Sequence, residues 1–270
     1  MPHRPAWAPD EVEIERPSAA RMYDYYLGGS HNFEADRELA RLAVSHWPEL
    51  PMVMRANRGF LRRAVRGLVE QGITQFLDLG SGIPTVGNVH EVAAAADPSC
   101  RVVYVDVDPV AVAHSRSLLK GIQGAAIVHA DARDPDSVLS APETRELLDL
   151  SKPVAVMMVA LLHFVADADD PIGLVARYRD AMAPGSYLVL SHATVDGVGE
   201  VMRDHERIYQ RSATPIYGRT RAQVQGLFDG FEIVDPGVVF LPLWRPEPEE
   251  PPVDKPERYS GYAAVGRKAG

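Results

Sequence analysis

FLDLGSGIPT, residues 76–85, reads as an apolar strand that ends in an acid, Asp78, and then turns through Gly80 and Gly82. Glycine at such a turn accepts positive φ and lets a ligand approach the backbone closely. A bare G-x-G is also what a tight strand-to-helix turn needs without any ligand, so the neighbours decide. An acid two residues before the first glycine suits a cationic or amine-bearing ligand. A dinucleotide fingerprint keeps that place apolar and opens its helix on a third glycine. Ile83-Pro84-Thr85 stands there instead.

Outward from this turn, strand-like apolar runs recur at Gln75–Leu79, Arg101–Asp106, Ala125–His129, Pro153–Val159 and Ser186–Ser191. The intervals hold helical patterns at Asn88–Ala96, Pro109–Leu119, Glu143–Leu148 and Pro171–Met182. Such alternation predicts a parallel sheet with right-handed crossovers, and the near-continuous apolar runs predict helices on both faces. The second run ends in Asp106, where a carboxylate can accept both hydroxyls of a ribose. Asp108 is expected to cap the helix opened by Pro109. The third run ends in His129-Ala130-Asp131, an acid at the same sheet edge, where an adenine amino group would lie. Beyond Ser191 the pattern predicts helices around Val198–Arg211 and Thr220–Phe228 and strands at Phe231–Phe240 and Arg258–Gly266. A loop with five prolines and four acids in Arg245–Pro256 lies between those strands.

The amino-terminal region has its own helix signals: Ser18 as N-cap, Ala19–Leu27 as body and Gly28-Gly29 as stop, then Asp36–Ser45 and Asn57–Val69. The expected organisation is a helical cap or lid over residues 1–56, then a sheet domain over 57–270 with an insertion at 196–218. Arg21–Asp36 reads either as a structural cap or as a lid. In the lid reading, the backbone at Gly28-Gly29 approaches a ligand and Tyr23 or Asn32 supplies a polar contact. The insertion, with Tyr209 and Tyr217, is a second candidate cover, so that an acceptor would enter between the two. The basic residues Arg203, Arg207, Arg211, Arg219 and Arg221 are interleaved with Asp204 and Glu206, which predicts a solvated helical face.

The chain resembles class I S-adenosylmethionine-dependent methyltransferases, and more narrowly an actinobacterial S-adenosyl methyltransferase family formerly catalogued as a domain of unknown function. RMYDYYLGGSHNFEADRELA (21–40), FLDLGSGIPT (76–85), YVDVDP (104–109) and HADARDP (129–135) carry the narrower likeness, which covers nearly the whole chain. It implies an α/β, Rossmann-like sheet, mostly parallel with an antiparallel last strand. It also implies that Asp78, Gly80, Ser81 and Gly82 line the methionine part of S-adenosylmethionine, Asp106 with Val107 the ribose side, and Asp131 with Ala132 the adenine. Ala160 and Leu161, within Val159–His163, would form the pocket wall, with Tyr23, Gly29 and Asn32 contributing from the cap.

The residues suit a sulfonium better than a phosphate. No G-x-x-x-x-G-K-[ST] loop is present, and acids at Asp78, Asp106 and Asp131 would repel a triphosphate. Methyl transfer is a direct displacement, so a general base is optional. His163 is the candidate base, or else closes the pocket; His192 is a second candidate, and His90 reads as helix surface. Two other readings stay open: a cofactor-binding regulatory module without turnover, and a nicotinamide-dependent oxidoreductase.

Composition bounds the rest. With 270 residues, 46% hydrophobic, the chain has ample material for a large core. Its net charge of −9 and pI near 5.5 argue against a nucleic-acid partner and for a small-molecule acceptor. The longest apolar run, Pro153–Ala166, falls short of the ~20 residues of a membrane helix. MPHRPAWAPDEVEIE carries prolines and acids where a signal peptide needs a basic start and an apolar stretch. With Cys100 as the single cysteine, no metal site is expected and the expected compartment is the cytoplasm. Oligomeric state does not follow.

Overall fold

The computed structural model describes residue 8 and residues 12–84, 87–197, 199–248 and 250–270. Thr85 of the turn and Val198, the expected start of the insertion helix, lie outside them. Three helices come first: α1 (Ala19–Tyr26), α2 (Glu34–His46) and α3 (Leu50–Glu70). The alternating part follows as β1 (Gln75–Leu79), α4 (Val89–Ala96), β2 (Arg101–Asp106), α5 (Pro109–Leu118), β3 (Ala125–His129), α6 (Pro135–Ser140), α7 (Pro142–Leu147), β4 (Ala155–Val159), α8 (Pro171–Ala181) and β5 (Tyr187–Ala193). The chain closes with α9 (Gly199–Tyr209), α10 (Arg221–Gly226), β6 (Phe231–Ile233), β7 (Val239–Phe240) and β8 (Gly261–Lys268).

The sheet runs β3-β2-β1-β4-β5-β8-β6, with β7 also on β8. Strands β1 to β5 pair in parallel and β8 pairs antiparallel with β5, β6 and β7. This is the expected Rossmann-like sheet, mostly parallel with an antiparallel last strand. Strand alternation divides the core in two. Phe76, Val102, Tyr104, Met157 and Val189 pack with α1, α2 and α3 on one face. Leu77, Val103, Val156, Met158 and Leu188 pack with Val175 and Tyr178 of α8 and with Val224 of α10 on the other. Asp78 follows Phe76 by two and is the register partner of Tyr104, so the acids ending β1 and β2 emerge on the α3 side.

Several sequence expectations are corrected here. Helix α3 begins at Leu50, not Asn57, because Pro51 sits in its first turn, where the missing N–H has no partner to lose. The boundary expected after residue 56 therefore falls inside α3. Ser18 makes no side-chain cap on α1; its hydroxyl donates to Asp108 instead. The expected strand Phe231–Phe240 is two short strands, because the chain turns through Pro236 and Gly237 (φ 86°). Residues Pro256–Tyr259 form a 3-10 turn, which delays the last strand to Gly261. Asp134-Pro135 opens an extra helix, α6. Among the described residues no helix is long and apolar enough to cross a membrane.

Candidate active site

The turn after β1 is built by backbone. The N–H groups of Gly80 and Ser81 donate to the Val105 carbonyl at 2.8 and 3.1 Å, and that of Gly82 donates to Asp106 Oδ2 at 2.7 Å. Gly80 and Gly82 both have φ near the left-handed region, 66° and 68°. A Cβ on Gly80 would also lie 2.6 Å from Leu161 Cδ1 and would push that side-chain end aside, but it is the positive φ that holds the position to glycine. The second oxygen of Asp106 accepts the Asp108 N–H at 2.8 Å. Its carboxyl is nevertheless pushed up to about 6, chiefly by burial. Asp78 is pushed up to about 7, by burial first; Arg58 on α3 opposes the shift and Asp106 adds to it.

These groups face one cavity of about 330 Å³ outside the carboxyl ends of the strands. Asp78, Gly80, Ser81, Gly82, Asp106 and Val107 line its middle, and Asp131 with Ala132 one end. Asp131 is paired with Arg133 at 2.6 Å, and that contact holds its carboxyl below the usual range. Ala160, Leu161 and His163 line the wall after β4. Ala160 adopts φ 57°, unusual for a non-glycine, and its N–H is held by Ser191 Oγ at 2.9 Å. Tyr23 lines the roof, its hydroxyl donating to the Met54 carbonyl and accepting from Asn57 Nδ2 at 3.0 Å.

Gly29 and Asn32 are not brought into the cavity. Asn32 Nδ2 donates to Asp24 Oδ2 at 2.7 Å and to the Gly29 carbonyl at 3.0 Å. A Cβ on Gly29 would lie 1.9 Å from Asp24 Oδ1. The two residues close the end of α1 around a buried aspartate. The two expected covers do meet: the Tyr26 and Tyr209 hydroxyls share a hydrogen bond at 3.3 Å, and the Ala213 N–H donates to the Pro17 carbonyl at 3.0 Å.

The histidines sort by how their nitrogens are used. His192 is buried, with Nδ1 on the Ala193 carbonyl and Nε2 facing Arg219 Nη1, each at 2.7 Å. Both nitrogens are spent. His163 Nδ1 accepts the Ala193 N–H at 3.4 Å, and burial holds the ring well below its usual pKa, so the neutral ring carries its proton on Nε2 and presents a donor. His90 is not helix surface but buried, paired with the Tyr104 hydroxyl at 2.7 Å. Arg219 does not lie on a solvated face either: it is 3% exposed and donates to the Leu162 and Val165 carbonyls and to Asp167.

Sequence reasoning missed Asn57 and Arg58 of α3, Trp47 after α2, and His205 of α9, all of which line the cavity. Asn57 Oδ1 accepts from Ser191 Oγ at 2.6 Å, joining α3 to β5 beneath Tyr23. The signal for it was a polar residue at one end of an otherwise apolar helical stripe. For His205, flanked by Asp204 and Glu206, there was none.

The chain matches the model of a family described as S-adenosyl methyltransferase over residues 5–269. It is similar to a crystal structure of a candidate methyltransferase from Thermobifida fusca, at 43% identity over 98% of this chain and 100% of that one, TM-score 0.93. It is also similar to a DUF574 family protein from Streptomyces avermitilis, at 41% identity over 94% and 98%, TM-score 0.91. The N-methyltransferase NodS from Bradyrhizobium japonicum, in complex with S-adenosyl-L-homocysteine, shares the fold at 14% identity over 93% and 100%, TM-score 0.51. Among curated proteins none matches.

Proposed function

The chain belongs to the S-adenosyl methyltransferase family, and from that premise we propose that it transfers the methyl group of S-adenosylmethionine to a small molecule enclosed between residues 18–36 and 196–218. It is an S-adenosylmethionine-dependent enzyme. The observation that carries the finer reading is the pair Asp78 and Asp106, buried carboxyls on one cavity wall with raised pKa values. Ser81 Oγ and Arg58 Nε are likewise buried beside the turn and meet no hydrogen-bond partner among the described residues. Such groups fit a ligand that brings a cation, an amine, a carboxylate and a diol.

When bound, S-adenosylmethionine supplies an electrophilic methyl on a cationic sulfur. The chain's part is to hold, align and shield. In this reading Asp78 pairs with the cationic, amine-bearing end and Arg58 with the carboxylate. Asp106, each oxygen already steadied by one backbone N–H, uses its remaining lone pairs for the ribose hydroxyls. Val107, 57% exposed at the end of β2, and Ala132 offer apolar faces to adenine, with Asp131 at its amino edge. Ala160 and Leu161 bound the sulfur end. Gly29 and Asn32 act from behind, fixing the roof that Tyr23 completes. His163, a donor whose Nδ1 is taken, orients rather than removes a proton.

Calorimetry tests the assignment. S-adenosylmethionine and S-adenosylhomocysteine are expected to bind and NAD is not. Asp106→Ala should weaken S-adenosylmethionine by about ten- to a hundredfold, the roughly 1.5–3 kcal/mol of charge-assisted hydrogen bonds. An unchanged dissociation constant in that variant would remove the ribose role, and tight NAD binding would favour an oxidoreductase.

A further inference from the structure

The cavity is chemically divided. The charged residues that line it, Arg58, Asp78, Asp106, Asp108, Asp131 and Arg133, lie on α3, at the ends of β1 and β2, and after β3. The opposite lobe is formed by Trp47, Phe164, Met202, His205, Tyr209 and Thr214, and none of these carries a formal charge. Its rings are arranged as walls. Trp47 stands edge-on to His205 at 5.3 Å, His205 lies 4.6 Å from Tyr209, and Tyr209 stacks on Phe164 at 6.4 Å and 22°. Burial alone pushes His205 down to about 4, so the ring is neutral at physiological pH.

Two polar atoms in this lobe have nothing to bond. His205 Nδ1 and Thr214 Oγ1 are both buried and meet no hydrogen-bond partner among the described residues. His205 is only 4% exposed. The neighbouring groups do not serve them: the Tyr209 hydroxyl is shared with Tyr26, His192 has both nitrogens committed to the Ala193 carbonyl and Arg219, and His163 Nδ1 is taken by the Ala193 N–H. A buried polar atom left unpaired carries its full desolvation cost, and two of them in one aromatic lobe mark where a ligand supplies the missing partner. A charged ligand would lose its hydration there and gain no counter-charge. A flat aromatic one would gain ring contacts on several sides.

The geometry points to an uncharged, planar aromatic acceptor that bears a hydroxyl, seated between Trp47, Phe164 and Tyr209, with that hydroxyl hydrogen-bonded to His205. This inference rests on the methyltransferase reading, since it makes the lobe the acceptor side of the cofactor cavity. His205 would thus be the substrate-contacting histidine, in place of His163.

The probe is 2-naphthol, a flat neutral phenol, with 2-naphthoate and naphthalene as a charged and a hydroxyl-free analogue. Each is titrated by calorimetry into the full-length protein saturated with S-adenosylhomocysteine at pH 7.5. 2-Naphthol is expected to bind saturably, and both analogues about tenfold or more weakly. His205→Phe, which keeps a ring of similar size, should lose about tenfold in 2-naphthol affinity while holding S-adenosylhomocysteine as before. In the unaltered protein the imidazole ¹⁵N resonances of His205 should shift when 2-naphthol is added, which a merely structural histidine would not show. The comparison of probes and the resonance shift decide the matter even if the variant does not fold. Absence of saturable 2-naphthol binding, 2-naphthoate binding equally well, or an unmoved His205 resonance would overturn the proposal. Failure of S-adenosylhomocysteine to bind the unaltered protein would instead overturn the cofactor reading beneath it.

Discussion

Asp78→Asn is expected to make the ligand-free protein more stable and the cofactor-bound protein weaker. Burial raises the Asp78 carboxyl from the usual 3.8 to about 7, so above that pH the fold holds an ion that the unfolded chain hydrates more cheaply. A carboxyl with a raised folded value favours the fold only while protonated. The cost of ionising it appears as pH climbs past the unfolded value and is complete above the folded one. The three-unit difference corresponds to on the order of 4 kcal/mol at pH 8. The isosteric amide carries no charge and escapes that cost. Chemical denaturation of the ligand-free protein at pH 8 and pH 4 checks the sign: the variant should gain stability at pH 8 and little at pH 4. The same substitution removes the carboxylate that the reading assigns to the cationic end of the cofactor, and affinity should fall about ten- to a hundredfold. In the parent protein, protonation of Asp78 should weaken binding about tenfold between pH 8 and pH 6, and the variant should lack most of that dependence. A variant that binds as tightly as its parent with the same pH profile would show that Asp78 does not touch the ligand. A site residue that costs the empty fold and is repaid only by ligand is the expected signature of function over stability.

How much of this was legible in sequence depends on where the deciding contact lies. Strands β1, β2 and β3 fall on their expected residues because each is a short apolar run with a turn or an acid at its end, and local pattern fixes all of that. Asp108 caps α5 as expected, accepting from Val110 and Ala111, because a cap is also local. Arg219 was misread since its burial is decided by carbonyls at Leu162 and Val165, more than fifty residues earlier, and no periodicity carries that information. His90 was misread for the same reason, its partner being a tyrosine on the next strand. The acid-rich edge could be read because parallel topology puts every strand's carboxyl end on one side. The aromatic lobe could not, because α2, the turn after β4 and α9 meet there only in three dimensions.

Replacing Arg21 by methionine is expected to cost about 3–5 kcal/mol of stability, the usual consequence of leaving buried carboxylates without their counter-ion. Arg21 is 4% exposed, and its Nε donates to Asp36 Oδ2 at 2.9 Å while Nη1 donates to Asp108 Oδ2 at 3.2 Å. Its remaining nitrogen donates to the Glu13 and Arg16 carbonyls, and the guanidinium lies 5.1 Å from the Phe33 ring centroid. One side chain therefore joins the segment before α1, the start of α2 and the cap of α5. Asp36 already sits above its usual range because burial outweighs Arg21, and without Arg21 it would rise further. The thermal midpoint should fall by roughly 10 °C at pH 7.5. The loss should shrink as pH falls towards the ordinary carboxyl range, because burial raises the folded Asp36 and the uncompensated carboxylate takes up a proton before the unfolded one does. Arg21→Met combined with Asp36→Asn should recover part of the loss, because the amide is neutral and its single oxygen can still accept one of the two N–H groups, of Ser18 and of Phe33, that the carboxylate accepts on separate oxygens. The effect should also reach the site, since the Asp108 N–H holds the oxygen of Asp106 that Gly82 does not. Cofactor affinity in the single variant is accordingly expected to drop several-fold even below the melting range. A midpoint within 2 °C or so of the parent would mean that the cap is not tied to the sheet through Arg21. Intact affinity with a lowered midpoint would confine its role to the fold.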